Sequence, residues 1–339
     1  MEKELIVYRD TAGDLNLFNY SNNLYRKIFG RDSEDVVLDF GSKFFFAKRI
    51  EASDCFSYDL IVYDKIESTS SSYLNDSFPL ILSPSKMLVK GYGKEKGKTK
   101  QIDLIRNSID WEIDIDFRPK LLTQNNYLGF VSRNKNLIKC ISNKDGSEIW
   151  SYDVTNLGTW QDYDSSEKII QVSRILGIYE DQVYLYLNSG KILLLNINTG
   201  EKISVLENDK HPKYDTFGDS IELDIKRGKL IQLARQDLIE VDLQSREVSM
   251  NPIEDMKSLN IENASRIAYD ANHIYFTDKN NQTLGALNRS THKLDWAYKL
   301  SQEGVSKSEQ PRYGRDLKLR GNRLYVLDNK FTLHIFEKE

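Results

Sequence analysis

The 339-residue sequence predicts an all-β protein, and three observations indicate this fold class. Aromatic residues make up 11% of the chain, with 19 Tyr and 14 Phe, and aromatic side chains favour strands over helices. Asn, Asp, Ser and Gly recur at short intervals, as many tight turns require. One strand–turn–strand pattern also returns along the whole chain. Such a repeat predicts an architecture of similar units.

The repeated pattern consists of an apolar strand, a turn of Gly, Asn or Asp, and a second strand rich in aromatic and β-branched residues. Neighbouring copies are roughly 41 to 55 residues apart, which is the period expected of propeller blades. Each copy is followed by another hairpin, so one repeat contributes four strands. Seven copies occur, and their second strands are anchored at Phe44, Met87, Leu128, Val183, Leu230, Ile274 and Leu324.

Four strands per repeat, arranged around a ring, form a β-propeller. We therefore predict that residues 1–339 form a single β-propeller domain of seven blades, with eight blades as the alternative. The first hairpins resemble the later strands of a blade, and the segment from Asp316 supplies the earlier strands of one. Strands from both termini would together close the ring and remove its exposed edges, although they are more than one blade can hold.

The second hairpin of the repeat resembles the pyrroloquinoline-quinone-type (PQQ-like) propeller repeat, which has an apolar strand, an Asp, a Thr-Gly-Lys turn and a Trp. Three stretches carry the match: Asn196 with Thr199-Gly200-Glu201-Lys202, Asp145-Gly146 with Trp150, and Asn288 with Trp296. An Asn, Asp or Ser that can bond the turn backbone stands at Ser142, Asn196, Asp242 and Asn288.

This resemblance implies the blade architecture and leaves the function open, because unrelated functions share that blade. The quinone enzymes of the family hold their cofactor with Ca²⁺ and have tryptophan-rich docking motifs. This chain has 4 Trp and lacks the calcium ligands. We therefore predict a divergent, non-enzymatic member without a cofactor.

Composition limits the expected partners and compartment. A net charge of −4 and a pI of about 5.8 argue against nucleic-acid binding, because a phosphate-binding surface usually makes a domain basic. Cys55 and Cys140 suit a reducing compartment, with one disulfide as the alternative. The amino-terminal apolar run is too short for a signal peptide, and no stretch is long enough to span a membrane. We expect a cytoplasmic monomer, or alternatively a secreted form that has lost its leader.

The stretch KGYGKEKGKTK at 90–100 ends in Gly97-Lys98-Thr99, like a phosphate-binding P-loop. That motif needs a glycine five residues before Gly97, where Tyr92 stands, and it needs a helix after the loop. The next residues, QIDLIR, have the pattern of a strand. We predict a solvated β-hairpin tip whose positive charge could steer an acidic partner.

Long segments between strands are the expected binding regions, because loops on a rigid scaffold usually carry function. The segments 155–170, 207–220, 251–264 and 301–316, together with the loop 91–100, should leave one face of the ring. Aromatic and arginine side chains are the commonest binding anchors. The candidate binding residues are Trp160, Tyr163, His211, Tyr214, Phe217, Arg312, Tyr313 and Arg315. The alternative for each is that it packs onto a blade end.

No catalytic residue or metal site is predicted. The 4 His residues lack metal-ligand spacing, and no Gly-x-Ser-x-Gly motif occurs. The favoured function is a non-enzymatic scaffold that binds a protein partner with its long-loop face. A narrower version, based on fold analogy, is an immunity protein that neutralises a toxin or effector. The alternative is an enzyme or carbohydrate-binding propeller that uses the central channel and the residues Asp162, Asp164, His211, Asp215 and Asp219.

Overall fold

Strands dominate the computed structural model of this chain. It describes the backbone of residues 5–9, 15–19, 24–29, 33–40, 43–51, 56–64, 66, 69–74, 77–82, 85–131, 134–162, 165–208, 217–261, 264–278, 282–300, 314–329 and 333–337. Side chains are described for most of these residues from 85 onward and for five earlier ones.

Within these residues, six sheets have four strands and two have three, and successive strands pair antiparallel in chain order. The first four sheets contain Leu5–Arg9, Leu15–Asn19 and Leu24–Phe29 (first); Ser33–Phe40, Lys43–Glu51, Phe56–Asp64 and Thr69–Leu74 (second); Ser77–Leu82, Lys86–Gly91, Thr99–Asp103 and Ser108–Ile113 (third); and Phe117–Leu122, Asn126–Val131, Asn134–Ser142 and Glu148–Asp153 (fourth).

The remaining four sheets contain Val172–Tyr179, Gln182–Leu187, Ile192–Asn196 and Lys202–Leu206 (fifth); Glu222–Asp224, Lys229–Ala234, Asp237–Asp242 and Val248–Pro252 (sixth); Ala264–Tyr269, His273–Asp278, Thr283–Asn288 and Leu294–Lys299 (seventh); and Gly314–Arg320, Arg323–Asp328 and Leu333–Glu337 (eighth). Outside the sheets lie a hairpin of Thr159–Gln161 and Glu167–Ile169, two 3-10 helices, Gly93–Glu95 and Val154–Leu157, and the α-helix Glu254–Ser258.

The prediction of an all-β chain built from four-stranded units is confirmed. All seven residues that anchored the repeat lie in the second strand of their sheet. The strands near the two termini form two separate three-stranded sheets, whereas we expected them to share one blade. Six strands are too many for one four-stranded unit, which accounts for the difference. The number of blades and the closure of the ring stay predictions.

The chain divides into two compact units. One contains residues 1–175 and 196–201, and the other contains residues 176–195 and 202–339. The first unit therefore includes the first four sheets and the 159–169 hairpin, and the second includes most of the fifth sheet and the later ones. A single domain over residues 1–339 stays a prediction.

Successive sheets of the first unit pack against each other through apolar side chains. Leu60 of the second sheet packs with Met87, Val89 and Ile102 of the third, and all four are at most 3% exposed. The third and fourth sheets share a second cluster that includes Leu88, Trp111, Phe117, Tyr127 and Ile141. The third sheet is therefore covered on both sides.

Successive sheets of the second unit form three similar interfaces. Between the fifth and sixth sheets, Ile192 and Leu194 pack with Leu230. Between the sixth and seventh, Ile231 and Leu233 pack with Ile274. Between the seventh and eighth, Ala286 packs with Leu324. A sheet covered on both faces needs apolar side chains on both sides of each central strand. This is why second and third strands such as QVYLYL and ILLLN are apolar runs and do not alternate.

The fourth strand of four sheets carries a β-bulge at the same place. The pairing register with the third strand skips one residue in each, and the extra residues are Asp110, Ile149, Ile203 and Asp295. A bulge twists an edge strand and interrupts its ladder of hydrogen bonds, which hinders pairing with another chain. The repeat therefore includes protection for its exposed edge.

The turns between the third and fourth strands have the hydrogen bonds that the sequence predicted. The Asn196 Oδ1 atom accepts from the backbone N–H groups of Asn198 and Thr199, at 2.8 and 3.2 Å. Asp242 and Asn288 accept in the same way from the two turn residues that follow at the second and third positions. These side chains fix each turn between the third and fourth strands.

Two tryptophans of the first unit lie on such turns. The Trp111 Nε1–H donates to the carbonyl of Asn143 at 3.2 Å, and the Trp150 Nε1–H donates to that of Ile197 at 2.7 Å. Gly200 lies beneath the Trp150 ring with a φ of +73°, and a Cβ atom there would lie 2.6 Å from the ring. The turn therefore requires glycine for its conformation and for this close approach.

Candidate functional site

The long connections leave one particular end of each sheet. In an antiparallel sheet of four consecutive strands, the second-to-third connection and the exit from the fourth strand lie at the same end. We call this the long-loop end, because the segments 92–98, 154–171, 207–221 and 253–263 are found there. These segments correspond to four of the five predicted binding regions, although residues 163–164, 209–216 and 262–263 of them lie outside the described residues, as does most of the fifth region, 301–316.

The segment after the fourth sheet folds into a small separate hairpin, which we call the 159–169 hairpin. Thr159 pairs with Ile169, Trp160 with Lys168 and Gln161 with Glu167. The turn is closed by backbone hydrogen bonds from Ser165 to Asp162 (2.8 Å) and from Asp162 to Ser166 (3.0 Å). This hairpin is an addition to the four-stranded repeat.

The residues that flank the 159–169 hairpin, 153–158 and 170–172, form its stem, and both sides of this stem are held by buried side chains and hydrogen bonds. Val154 and Val172 are 0% exposed and Ile170 is 7% exposed. The Asp153 carboxylate caps the first turn by accepting from the Thr155 hydroxyl and backbone N–H, and these hydrogen bonds lower the pKa of Asp153. The Ile170 N–H donates to the Gly158 carbonyl at 3.3 Å. An isolated two-stranded hairpin is only marginally stable, so this stem is what holds it in place.

The two faces of the hairpin differ in exposure. Strand alternation places Thr159, Gln161, Glu167 and Ile169 on one face, and all four are exposed, Ile169 at 53%. We call this the outer face. The Thr159 hydroxyl donates to the Glu167 carboxylate at 2.5 Å. The outer face therefore combines an exposed apolar side chain with an exposed carboxylate.

Trp160 lies on the opposite face of the hairpin and is half-buried. Its indole N–H is buried and has no acceptor within the described part of the chain. Lys168, on the same face, forms an ion pair with Asp162. Trp160 is therefore positioned partly as support for the hairpin and partly as accessible aromatic surface.

The segment 207–221 is pinned by buried residues in the second unit. Asn208, Phe217 and Ile221 are at most 2% exposed. The Phe217 N–H donates to the Gly190 carbonyl at 2.6 Å, and the Phe217 carbonyl accepts from the Tyr186 hydroxyl at 2.9 Å. The Phe217 ring belongs to the core between the fifth and sixth sheets, so it offers almost no surface to a partner.

The segment 253–263 is attached to the seventh sheet. Ile253, Met256 and Ile261 are at most 1% exposed, and the Asp255 carboxylate accepts from the Leu294 N–H at 2.9 Å. Leu259, in contrast, is 50% exposed. Like the 159–169 hairpin, this segment displays one apolar side chain from a firmly held base.

The structure describes only some of the predicted binding residues. Trp160 and Phe217 are described in full, and the backbone of Arg315 lies in the strand Gly314–Arg320. Tyr163, His211, Tyr214, Arg312 and Tyr313 lie outside the described residues. Ile169 and Leu259 were missed, because an isolated apolar residue in a sequence is indistinguishable from a core residue.

The loop 90–100 is the predicted hairpin tip. Its flanking strands pair antiparallel, and a strand follows Lys98 directly. Thr99 is 0% exposed, its hydroxyl donates to the Ile115 carbonyl at 2.6 Å, and it accepts from the Phe117 N–H at 3.0 Å. Both hydrogen-bonding functions of this hydroxyl are occupied within the fold, which differs from the phosphate-site role of a P-loop threonine.

The lysines of this loop are more strongly neutralised than we predicted. Lys98 and Lys100 contact Glu112 at 2.8 and 3.1 Å, and Lys100 also contacts Glu95 at 3.0 Å. Hydrogen bonds from these lysines lower the pKa values of Glu95 and Glu112. Lys90 is 7% exposed and pairs with Asp116. The predicted hairpin tip is therefore solvated only in part, at Lys94 and Lys96, because the other lysines pair with Glu95 of the loop or with carboxylates that follow the loop in the chain.

The Thr99 hydroxyl gives a first testable prediction. Thr99→Val keeps the shape but leaves the Ile115 carbonyl and the Phe117 N–H without their buried partner. We expect the free energy of unfolding to fall by about 2 kcal/mol, measured by urea denaturation. Thr99→Ser keeps the hydroxyl and should lose under about 1 kcal/mol. Equal stability of the valine variant and the wild type would contradict this role.

Two of the five candidate channel residues lie within the described part of the chain, and each contacts a different neighbouring side chain. Asp162 pairs with Lys168, and Asp219 accepts from the Tyr186 hydroxyl at 3.2 Å. Asp164, His211 and Asp215 lie outside the described residues. Among the residues that the structure describes, no group of three or more His, Cys, Asp or Glu side chains could hold a metal ion. Nor does any described helix have the length and apolar character to cross a membrane.

A buried ion pair occupies the opposite end of the sheets in the second unit. The Arg289 Nη1 atom lies 2.7 Å from Asp224 Oδ2, and the two side chains are 1% and 3% exposed. Arg289 Nη1–H also donates to the Asp270 carbonyl at 3.0 Å. Burial, with the nearby Asp224 charge, raises the pKa of Tyr269 to about 12, and its hydroxyl donates to the Leu223 carbonyl. This cluster ties the sixth sheet to the seventh.

No protein-family model matches the chain, and no curated protein matches it in sequence. Several solved structures are similar in fold. Dihydro-heme d1 dehydrogenase NirN matches with a TM-score of 0.62 at 10% identity, over 99% of this chain and 72% of that one. Sqt1 of Saccharomyces cerevisiae matches with a TM-score of 0.60 at 10% identity, over 99% and 93%. BamB of Moraxella catarrhalis matches with 0.52 at 13% identity, over 89% and 88%.

These similar structures are β-propellers, and the chain shares their fold. At such low identity the likeness extends to the fold alone. One propeller scaffold supports many unrelated functions, so the function has to be argued from the site.

Proposed function

We propose that this chain is a non-enzymatic β-propeller scaffold that binds a protein partner at the long-loop end of its sheets, through the outer face of the 159–169 hairpin. In this proposal it acts as a cytoplasmic monomer without a cofactor. Its blades are of the PQQ-like type, seven or eight in number. Eight would follow if each sheet found among the described residues is one blade.

The observation that supports the proposal is the pinned hairpin with Ile169 at 53% exposure. Burying the exposed half of this side chain against a partner removes apolar surface from water and contributes about 1–1.5 kcal/mol, roughly half the value for a fully exposed isoleucine. A surface that is already held in its bound position loses little conformational entropy on binding. The stem residues Val154, Ile170 and Val172 provide that preorganisation. Trp160 lies half-buried on the opposite face, and in this proposal it supports the outer face from behind.

The test is an affinity measurement with a partner that the wild-type chain captures stoichiometrically from the source organism. Ile169→Ser should weaken that complex by at least about 10-fold, because a central apolar anchor is lost. Trp160→Ala should weaken it too, with a far-UV circular dichroism spectrum to confirm that the chain is still folded.

The matched control is Ile105→Ser. Ile105 is 77% exposed in the same compact unit but lies in a turn at the opposite end of the third sheet. Its replacement should leave the affinity unchanged. If Ile169→Ser and Trp160→Ala both bind like the wild type, the hairpin is not the interface. Identification of the partner as a toxin or effector would support the immunity version of the hypothesis.

A further inference from the structure

We propose that the outer face of the 159–169 hairpin receives a lysine or arginine side chain from a cationic segment of the partner. This inference rests on the proposed function and specifies the chemistry of the partner. It differs from the acidic partner that the sequence led us to expect.

The charge of the hairpin segment favours a cation. Residues 154–171 carry Asp162, Asp164 and Glu167 against Lys168, a net formal charge of −2. Lys168 is already paired with Asp162, and strand alternation places Lys168 on the face opposite to Glu167. Glu167 is therefore the charged group of the outer face, with no cation of the hairpin beside it on that face.

The other long segments have the same sign. Residues 207–221 and 253–263 of the second unit each have a net formal charge of −2. In the loop 90–100, four of the charged groups neutralise each other or pair with the neighbouring strands, which leaves Lys94 and Lys96 exposed. Each of these longer segments, taken by itself within its own unit, therefore carries the sign of charge that favours a positively charged partner.

The spacing on the outer face fits the shape of a lysine or arginine side chain. Glu167 and Ile169 are two residues apart on one strand and point to the same side, so their Cα atoms are about 7 Å apart. The methylene stem of a lysine or arginine can lie across the Ile169 side chain while its charged end reaches the Glu167 carboxylate. The Thr159 hydroxyl occupies one carboxylate oxygen, and a carboxylate has capacity for further donors.

The experiment compares two neutralising variants that remove the same charge. Glu167→Gln should weaken the complex with the captured partner about 10-fold at 50 mM salt, and the difference should shrink at 500 mM salt, because added salt screens an exposed ion pair. Glu201→Gln removes an exposed carboxylate of the same unit outside the hairpin and should change the affinity less than about 2-fold.

A peptide probe tests the chemistry without the natural partner. The alternating peptide (Arg-Thr)5 should shift the amide NMR signals of Thr159, Gln161, Glu167 and Ile169, and (Gln-Thr)5 should not. Shifts spread over acidic residues of the whole surface, or equal effects of the two peptides, would overturn the inference.

The outcomes separate this inference from the proposed function. If Ile169→Ser weakens the natural complex but Glu167→Gln leaves it unchanged or strengthens it, the scaffold proposal stands and the cationic partner is wrong. If neither variant changes the affinity, the hairpin is not the interface and both proposals fail.

Discussion

Replacing Trp150 with alanine is expected to lower the free energy of unfolding by about 3–5 kcal/mol. Trp150 is 6% exposed, and its indole N–H donates to the Ile197 carbonyl at 2.7 Å. The substitution removes the ring from a packed position and leaves that buried carbonyl without its donor. Urea denaturation followed by far-UV circular dichroism measures the change without relying on tryptophan fluorescence.

A double-mutant cycle with Gly200 identifies the contact responsible. Gly200→Ala alone should destabilise strongly, because the new Cβ atom would lie 2.6 Å from the Trp150 ring and the φ of +73° disfavours alanine. In the Trp150→Ala background the collision disappears and only the backbone cost remains. The two effects should therefore be less than additive. Strict additivity would mean that the ring and the turn do not act on each other.

Breaking the buried pair of Asp224 and Arg289 should cost about 3–5 kcal/mol from either side. Asp224→Asn preserves the shape but leaves the guanidinium buried without an opposing charge. Arg289→Met fills the space of the side chain but leaves the Asp224 carboxylate buried without an opposing charge. Each side chain is at most 3% exposed, so water cannot readily replace the missing partner. Urea midpoints of the two single variants provide the measurement.

The double variant Asp224→Asn/Arg289→Met distinguishes the pairing from general packing. With both charges removed, no uncompensated charge remains, and the stability should recover to within about 2 kcal/mol of the wild type. Lys191→Met with Glu207→Gln provides the comparison, since that pair is solvent-exposed and should change stability by under about 1 kcal/mol. A double variant as unstable as the sum of its singles would refute the explanation by charge.

The all-β fold of four-stranded units was predictable because the strand–turn–strand pattern repeats at a regular spacing along the sequence. Apolar runs around Val183 and Leu230 mark central strands covered on both faces, and the turn residues Asn196 and Asn288 make the local hydrogen bonds that their types favour. These are effects within a few residues. The strands near the two termini were already too many for one blade in the sequence, but their division into two three-stranded sheets could not be read from it.

The candidate site was less predictable for the same reason. The end of the sheets from which the long connections leave was predictable, since the segments 154–171, 207–221 and 253–263 each follow a fourth strand, while their role in binding stays a prediction. The individual residues depended on tertiary contacts. Phe217 is in the core because the turn at Gly190 lies against it, and Lys100 is neutralised by Glu112 from the next strand. Side-chain exposure cannot be read from residue type alone.

The contacts between tryptophans and turns impose a delay during synthesis of the chain. Trp111 precedes the residue that accepts its hydrogen bond by 32 positions, and Trp150 precedes its acceptor by 47. At a synthesis rate of about 5–20 residues per second, each of these sheets waits about 2–10 s after its own last strand before the next turn is made. While the third and fourth sheets are being made, the nascent chain therefore carries an unfinished sheet, whose indole ring lacks its hydrogen-bond acceptor until the turn of the next sheet emerges.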